Sequence, residues 1–111
     1  MRKQFKVGDF ISINSWIESG QWTIPDPKVG EVVYIKEDTD DGFHIYLIRL
    51  FCKVRPEYKS TSRFEEELEK KFDLRYCGWT DVENLEPLNF KETIWLKNKL
   101  KNGRWTLSNK N

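Results

Sequence analysis

The sequence predicts a mainly β domain of the α+β class, in which five short strands form a strongly bent sheet and two helices accompany them. Three observations predict it. Short runs of β-branched and aromatic residues alternate with turn signals through most of the chain. One capped helical segment interrupts these runs, and another follows the last of them. A length of 111 residues suits one core, so we treat 1–111 as a single domain.

The first three strands are indicated by runs that lie next to turn residues. In "KVGDFISIN", Ile11 and Ile13 alternate with polar residues, which is the period of a half-buried strand. "GEVVYIKED", which begins at Gly30, has high strand preference, and Asp41-Gly42 is a tight-hairpin signal before the third run. That run, "FHIYLIRLFCKV", is apolar on both faces, which predicts a central strand covered on both sides.

An inserted helix is predicted over about 62–72. Ser62 and Glu65 have the spacing of a capping box. Three apolar residues recur every four positions, as on one helical stripe: Phe64, Leu68 and Phe72. "LRYCGWTD" then returns as the fourth strand, "DVENL" suits a single helical turn, and "LEPLNF" supplies a short edge strand.

The last helical signal predicts a second helix over 89–103. Asn89 and Glu92 repeat the cap spacing, apolar residues follow at helical intervals, and Gly103 closes the helix. We expect this helix to cover the second face of the third strand.

The order of these signals resembles the SH3-like barrels, such as the Tudor, PWWP and KOW-type domains. The resemblance rests on the "GDF" that opens the first strand and on "GWTDVENLEPL", a Trp followed by a short turn and an edge strand. It covers 6–88, with the inserted helix as its main departure and the helix over 89–103 as an addition. It implies a five-stranded SH3-like barrel, and it implies little about function because such barrels perform many unrelated tasks.

Composition limits the partners and the compartment. Lys and Arg number 19 and Asp and Glu 18, so no overall field favours nucleic acid or an anionic membrane. No apolar run approaches the roughly 18 residues of a membrane span, and the N-terminus lacks an apolar signal core. We therefore expect a cytoplasmic protein with no membrane partner. Cys52 and Cys77 are not in metal spacing with a histidine, which predicts buried, reduced thiols.

The sequence shows no pattern typical of a catalytic site. One histidine and two separated cysteines do not make a metal site. The chain has no glycine-flanked Ser or Cys nucleophile and no glycine-rich phosphate loop. We expect no catalytic residue, no metal and no cofactor, and hence a protein that is not an enzyme.

Aromatic residues are the main indication of a binding function. Five Trp, four Tyr and seven Phe make up 14% of the chain, and large rings at a surface often contact a partner. In the barrels that this chain resembles, the long first loop packs beside the start of the fourth strand. The candidate ligand-binding residues are Trp16, Trp22, Asp26, Tyr46 and Trp79. With Asp26 at its rim, such an aromatic groove can hold a proline-rich segment, a cation or a stacked base.

The alternative is that the first loop only joins two strands. Trp16 and Trp79 would then cap the barrel core. Pro25 and Pro27 stiffen the loop, which lowers the entropy lost on binding and also suits plain stability. Recognition is the interpretation that we favour, and Trp22 is then more exposed than Trp79.

Three classes of function are compatible with these observations. The first is a module that binds a protein partner through the aromatic groove. The second is a nucleic-acid module, which requires a set of basic residues to gather on one face. That set is Arg55, Lys59, Arg63, Arg75, Lys97, Lys99, Lys101 and Arg104. The third is an endoribonuclease toxin of the MazF/PemK kind, acting through an arginine such as Arg49 or Arg75. This chain lacks the proline-rich "RP" strand start that those toxins have after the first loop, so we place the toxin function last.

Overall fold

The computed structural model describes residues 5–14, 27–38, 43–60 and 62–101. Within these ranges the chain forms five strands, two α-helices and two 3-10 turns. The strands are β1 (Phe10–Ile13), β2 (Val29–Asp38), β3 (Phe43–Leu50), β4 (Cys77–Asp81) and β5 (Leu85–Glu86). The helices are α1 (Arg63–Glu69) and α2 (Phe90–Lys101), and the 3-10 turns are Leu74–Tyr76 and Val82–Asn84.

The five strands form one antiparallel sheet in the order β4-β3-β2-β1-β5. The hairpin predicted between β2 and β3 is present, since Asp38 pairs with Phe43. The predicted central position of β3 is confirmed as well, because it has a neighbour on each side. The sheet is open, with β4 and β5 at its edges. The α+β class is thus confirmed, with an open five-stranded sheet and two helices.

One face of the sheet carries the largest apolar cluster. Side chains alternate across a strand, so Tyr46, Ile48 and Leu50 of β3 share this face. They pack with Ile11 and Ile13 of β1, both of which are fully buried. The alternation predicted for β1 is therefore the observed one.

The opposite face of β3 and β4 is covered by α1. Leu68 of the helix joins Leu47, Leu74 and Cys77 in a second buried cluster. Phe64 and Phe72 pack against the same cluster and are partly buried. The helical stripe that the sequence predicts is thus the face on which α1 packs.

A register shift in β2 places two successive side chains on the same face of the sheet. The pairing of β2 with β3 is irregular between Val32 and Tyr34. Val32 packs in the first cluster, while Val33 and Tyr34 both pack in the cluster beneath α1. A bulge of this kind places two successive side chains where regular alternation would place one.

α2 does not cover the third strand, and that prediction is wrong. Leu96 packs on Val29, and Trp95 lies edge-to-face with Phe51 at 4.8 Å between ring centroids. The helix therefore covers the start of β2 and the residue after β3. The second face of β3 is covered by α1 through Leu47. Helical periodicity identifies the apolar stripe of a helix but not the strand that it contacts.

Both helices begin at their predicted caps. The Oγ of Ser62 accepts a hydrogen bond of 3.2 Å from the backbone N–H of Glu65. Asn89 and Glu92 form the full reciprocal box, with bonds of 2.8 and 3.0 Å. α1 ends three residues before the predicted 72, at Glu69, and the predicted end of α2 at Gly103 lies outside the described residues. No helix in the described ranges is long and apolar enough to cross a membrane.

Candidate functional site

The structure describes two of the five residues predicted to form the aromatic groove. Trp16, Trp22 and Asp26 lie outside the described residues. Tyr46 is only 4% exposed and belongs to the apolar cluster that β1 and β3 share. Trp79 is partly buried and packs in the cluster beneath α1.

Tyr46 and Trp79 point to opposite faces of the sheet. Trp79 lies across from Leu47, and Tyr46 lies across from Thr80. Cross-strand partners share a face and successive residues do not, so the two rings are separated by the sheet itself. The prediction that they line one groove is therefore wrong. Tyr46 is a core residue, while Trp79 keeps its place as a candidate.

Three rings meet on the α1 side of the sheet, and we call them the three-ring cluster: Tyr34, Phe64 and Trp79. The centroids of Tyr34 and Phe64 are 5.6 Å apart, and those of Tyr34 and Trp79 are 6.3 Å apart, both edge-to-face. Phe64 and Trp79 stack at 6.2 Å with 29° between their planes. All three rings are partly exposed. Such distances are typical of favourable aromatic pairs.

Each ring is placed by a different element. Tyr34 follows the register shift of β2, Trp79 lies in β4, and Phe64 is in the first turn of α1 behind the Ser62 cap. The ammonium of Lys36 lies 4.9 Å from the Phe64 centroid, which is a cation–π contact. The cluster thus offers apolar ring surface with one cation at its border.

The sequence indicates Trp79 as a candidate but gives no sign that Tyr34 and Phe64 lie beside it. Phe64 fits the packing stripe of a helix, and Tyr34 fits a strand with high β preference. The missing information is the irregular register of β2, which has no glycine or proline at the shift to reveal it.

The described ends of the first loop are fixed to the sheet and to the turn after β4. The backbone N–H of Ile13 donates to the carbonyl of Lys28 at 2.9 Å. That of Asn14 donates to the carbonyl of Asn84 at 2.8 Å. Asn84 ends the 3-10 turn that follows β4, the strand of Trp79. The loop therefore starts next to the segment that leaves Trp79.

A polar cavity of about 300 Å³ lies between the segment after β3 and the segment after α1. Its lining residues are Tyr58, Lys59, Ser60, Glu69, Asp73 and Arg75. Arg75 donates to both carboxylate oxygens of Asp73, at 2.9 and 2.6 Å, and these bonds raise the pKa of the guanidinium. The charges of this lining balance, since two cations face two carboxylates.

The basic residues considered for nucleic acid differ in accessibility. Arg55 is 3% exposed; it donates to the carbonyl of Leu74 and stacks on Tyr58 at 3.7 Å from the ring centroid. The ammonium of Lys99 lies 5.3 Å from the Trp95 centroid. Four members of the set are exposed in the described ranges: Lys59, Arg63, Lys97 and Lys101. Arg104 lies outside those ranges.

Arg49, considered for a toxin-like mechanism, is a buried side chain of β3 that forms an ion pair with Glu31 on β2. Both residues point to the face opposite Ile48. The ion pair therefore links two neighbouring strands of the sheet.

Both thiols are free, as the sequence predicts. Cys52 is partly buried and Cys77 is fully buried. Burial raises the pKa of each thiol, that of Cys77 to about 12. Among the described residues, no three His, Cys, Asp or Glu side chains gather in a way that could hold a metal ion.

Comparison of the chain with protein-family models, with curated proteins and with solved structures finds no match in any of the three.

Proposed function

We propose that this chain is a non-enzymatic binding module that recognises a protein partner through an aromatic surface. The observation that supports it best is the three-ring cluster, whose rings come from β2, α1 and β4 and are all partly exposed. Rings that only filled a core would be expected to lie fully buried, as Tyr46 does. We place this module in the cytoplasm, a setting that suits its two free cysteines.

An SH3-like barrel is part of the same proposal. The order of elements supports it: β1 follows the Gly-Asp pair, and a 3-10 turn joins the strand of Trp79 to the short strand β5. β5 pairs with β1, so the first and last strands are neighbours. The proposal adds that this open sheet closes into a barrel, which an experimental structure would test.

The partner that suits the three-ring cluster best is a proline-rich peptide. Pyrrolidine rings present flat apolar surface on a backbone that is already extended, so little entropy is lost when they dock on aromatic rings. Lys36 beside Phe64 adds a cation for an acidic side chain or a peptide carbonyl. Trp22 and Asp26 of the first loop remain candidates for the rim of the same surface.

The test is a titration of the isotope-labelled chain followed by NMR. Five Trp give five indole N–H signals, which Trp-to-Phe variants assign. A proline-rich peptide, a trimethyl-lysine peptide and single-stranded RNA are the three probes. We expect the proline-rich peptide to shift the Trp79 signal saturably. A Trp79 signal that shifts only with RNA would contradict the proposal. So would a Trp79 signal that shifts with none of the three probes.

Three substitutions sharpen this test. Phe64→Ala should weaken peptide binding about tenfold, which corresponds to ~1.4 kcal/mol. Phe90→Ala is the matched control, because Phe90 is 80% exposed on another helix. Phe64→Leu, which keeps an apolar side chain on α1, separates loss of the ring from loss of folding. Equal weakening by Phe64→Ala and Phe90→Ala would count against the three-ring cluster.

Trp22 provides a separate check on the first loop. If it is a binding anchor, Trp22→Ala should weaken capture of the peptide by roughly 2 kcal/mol or more. The melting temperature should change little. A large loss of stability with intact peptide binding would assign the loop a structural role.

The nucleic-acid module remains the second candidate. The observation that favours it is the group of lysines on α2, of which Lys97 and Lys101 are exposed. Against it, Arg55 is buried and Arg75 is paired with Asp73. The toxin reading stays last, since Arg49 is paired with Glu31 inside the sheet.

A further inference from the structure

The outward face of α2 has an unusual distribution of apolar and basic side chains. Phe90 is 80% exposed and Ile94 is 45% exposed, although the opposite face of the helix packs on the sheet. Lys97 and Lys101 are exposed farther along the same helix. Leu100 beside them is 46% exposed.

Four of these residues form one continuous row. Phe90, Ile94, Lys97 and Lys101 are separated by four, three and four positions, which is the spacing of a coiled-coil seam. We call this row the α2 seam. Its first half is apolar and its second half is cationic.

The charge of α2 is strongly one-sided. The helix has four lysines and a single acidic residue, Glu92. That carboxylate is directed inward, because one oxygen accepts from Ser12 Oγ and the other from the backbone N–H of Asn89. No carboxylate of the helix therefore offsets Lys97 and Lys101 on the α2 seam. A partner whose charge complements this half of the seam would be acidic.

We propose that the α2 seam is a docking surface for an acidic amphipathic helix of another protein. Such a helix would place apolar side chains against Phe90 and Ile94, and carboxylates against Lys97 and Lys101. An antiparallel arrangement suits both halves of the seam. The first turn of the partner helix would then lie at the lysine end of α2, and carboxylates are favoured in the first turn of a helix. This surface is distinct from the three-ring cluster, so the inference does not depend on the function proposed above.

A second copy of this chain does not meet the same requirement. In a parallel pair, Lys97 and Lys101 would face their own counterparts. In an antiparallel pair, they would face Phe90 and Ile94 of the other copy. Both arrangements bring cations together or bury them against apolar groups, which is unfavourable.

Two other occupants are also disfavoured. The segment 102–111 that follows α2 contains Arg104 and Lys110 but no Asp or Glu, so it lacks the complementary charge. A helix that binds an anionic bilayer buries an apolar stripe along its length in the membrane interface. The apolar part of the α2 seam ends at Ile94.

The test uses designed helical peptides of about three heptads. One has leucines followed by glutamates along its seam, the second has them in reverse order, and a third has lysines in place of the glutamates. Fluorescence anisotropy at low and high salt measures their binding to the full chain. We expect one of the two glutamate peptides to bind at least tenfold more tightly than the lysine peptide, with a loss at high salt.

Charge reversal on the helix is the decisive variant. Lys97→Glu with Lys101→Glu should abolish binding of the glutamate peptide and create binding of the lysine peptide. Lys91→Glu makes the same change of charge on the same helix but off the seam, and it should leave the preference intact. Phe90→Ala should weaken binding at least fivefold. Circular dichroism confirms that each variant is folded.

Other results would overturn the proposal. Failure of both glutamate peptides, or binding that survives the double charge reversal, would show that the α2 seam does not select an acidic helix. Binding of phosphatidylserine vesicles or RNA that is stronger than peptide binding and is lost on the charge reversal would assign the lysines to that ligand. A dimer that dissociates on Phe90→Ala would show that a second copy covers the seam.

Discussion

Ser12 of β1 donates a hydrogen bond of 2.8 Å to Oε2 of Glu92 in α2, and the two residues are 80 positions apart in the chain. The other oxygen of Glu92 accepts from the N–H of Asn89, so one carboxylate both caps the helix and holds it on the sheet. Ser12 and Glu92 are 8% and 9% exposed, so removal of the carboxylate leaves the buried Ser12 hydroxyl without this acceptor.

This carboxylate should contribute strongly to stability. We expect Glu92→Ala to lower the free energy of unfolding by roughly 2 to 4 kcal/mol, because it loses the cap and the bond to Ser12 together. Glu92→Gln should cost less, since glutamine also fits a capping box. Urea denaturation measures both. Thr93→Ala is the control, because it removes an exposed hydroxyl one residue away. An equal loss of stability in Thr93→Ala would contradict the role assigned to the Glu92 carboxylate.

Gly30 should not tolerate a side chain. A Cβ there would lie 2.3 Å from Cγ2 of Ile48 and 2.7 Å from Cδ2 of Leu50. Both neighbours are fully or almost fully buried, so we expect Gly30→Ala to destabilise the fold by about 1 to 3 kcal/mol. Combined with Ile48→Ala, the loss should be smaller than the sum of the two single changes. Additive losses in thermal denaturation would show that the two sites do not touch.

The Arg49–Glu31 pair gives a prediction that separates structure from catalysis. Arg49→Met should lower the free energy of unfolding by about 1 to 3 kcal/mol, because the partly buried carboxylate of Glu31 then loses its ion pair with the guanidinium. Arg49→Met with Glu31→Leu should recover much of that loss. Denaturation of the four members of this cycle checks it. Recovery would identify the pair as structural, and a double variant no more stable than Arg49→Met would refute that role.

The buried thiol of Cys77 predicts a loss of stability at alkaline pH. Its pKa is about 12 in the folded chain, against an ordinary value of 9.0. The folded state therefore keeps a proton that the unfolded state loses, so this contribution is complete below pH 9 and declines as the pH rises from 9 towards 12. The slope approaches ~1.4 kcal/mol per pH unit for one proton.

Cys77→Ala should remove this slope, although it lowers stability at neutral pH. Tyr58 also titrates in alkali, since burial and its bond to Glu65 raise the pKa of its phenol, so Tyr58→Phe is the control at the upper end of the range. Chemical denaturation at several pH values measures the slope. The measurement is made in a Cys52→Ala background, because the pKa of that thiol is raised as well. A slope between pH 9 and 10 that is equal with and without Cys77→Ala in this background would rule out the Cys77 thiol as its source.

The local elements could be predicted from the sequence because their signals are local. The Asn89 and Glu92 box and the alternation of Ile11 and Ile13 each involve neighbours within a few positions. All five strands and both helices follow from signals of this kind.

The faces of the sheet could not be predicted in the same way. β3 is apolar on both sides, so its pattern does not decide which face Tyr46 takes. The register shift between Val32 and Tyr34 depends on how two strands meet, and no residue type marks it. For that reason the sequence indicates Trp79 as a candidate site residue but does not indicate its neighbours, Tyr34 and Phe64.

The pairing of β1 with β5 has a consequence for biosynthesis. A ribosome adds roughly 5 to 20 residues per second, so the 74 positions between Ser12 and its β5 partner Glu86 take about 4 to 15 s to translate. Throughout that interval one edge of β1 lacks its partner strand, β5. The β2–β3 hairpin can form well before then, whereas the strand edge of β1 stays open to chaperones or to other nascent chains until the last residues of the sheet appear.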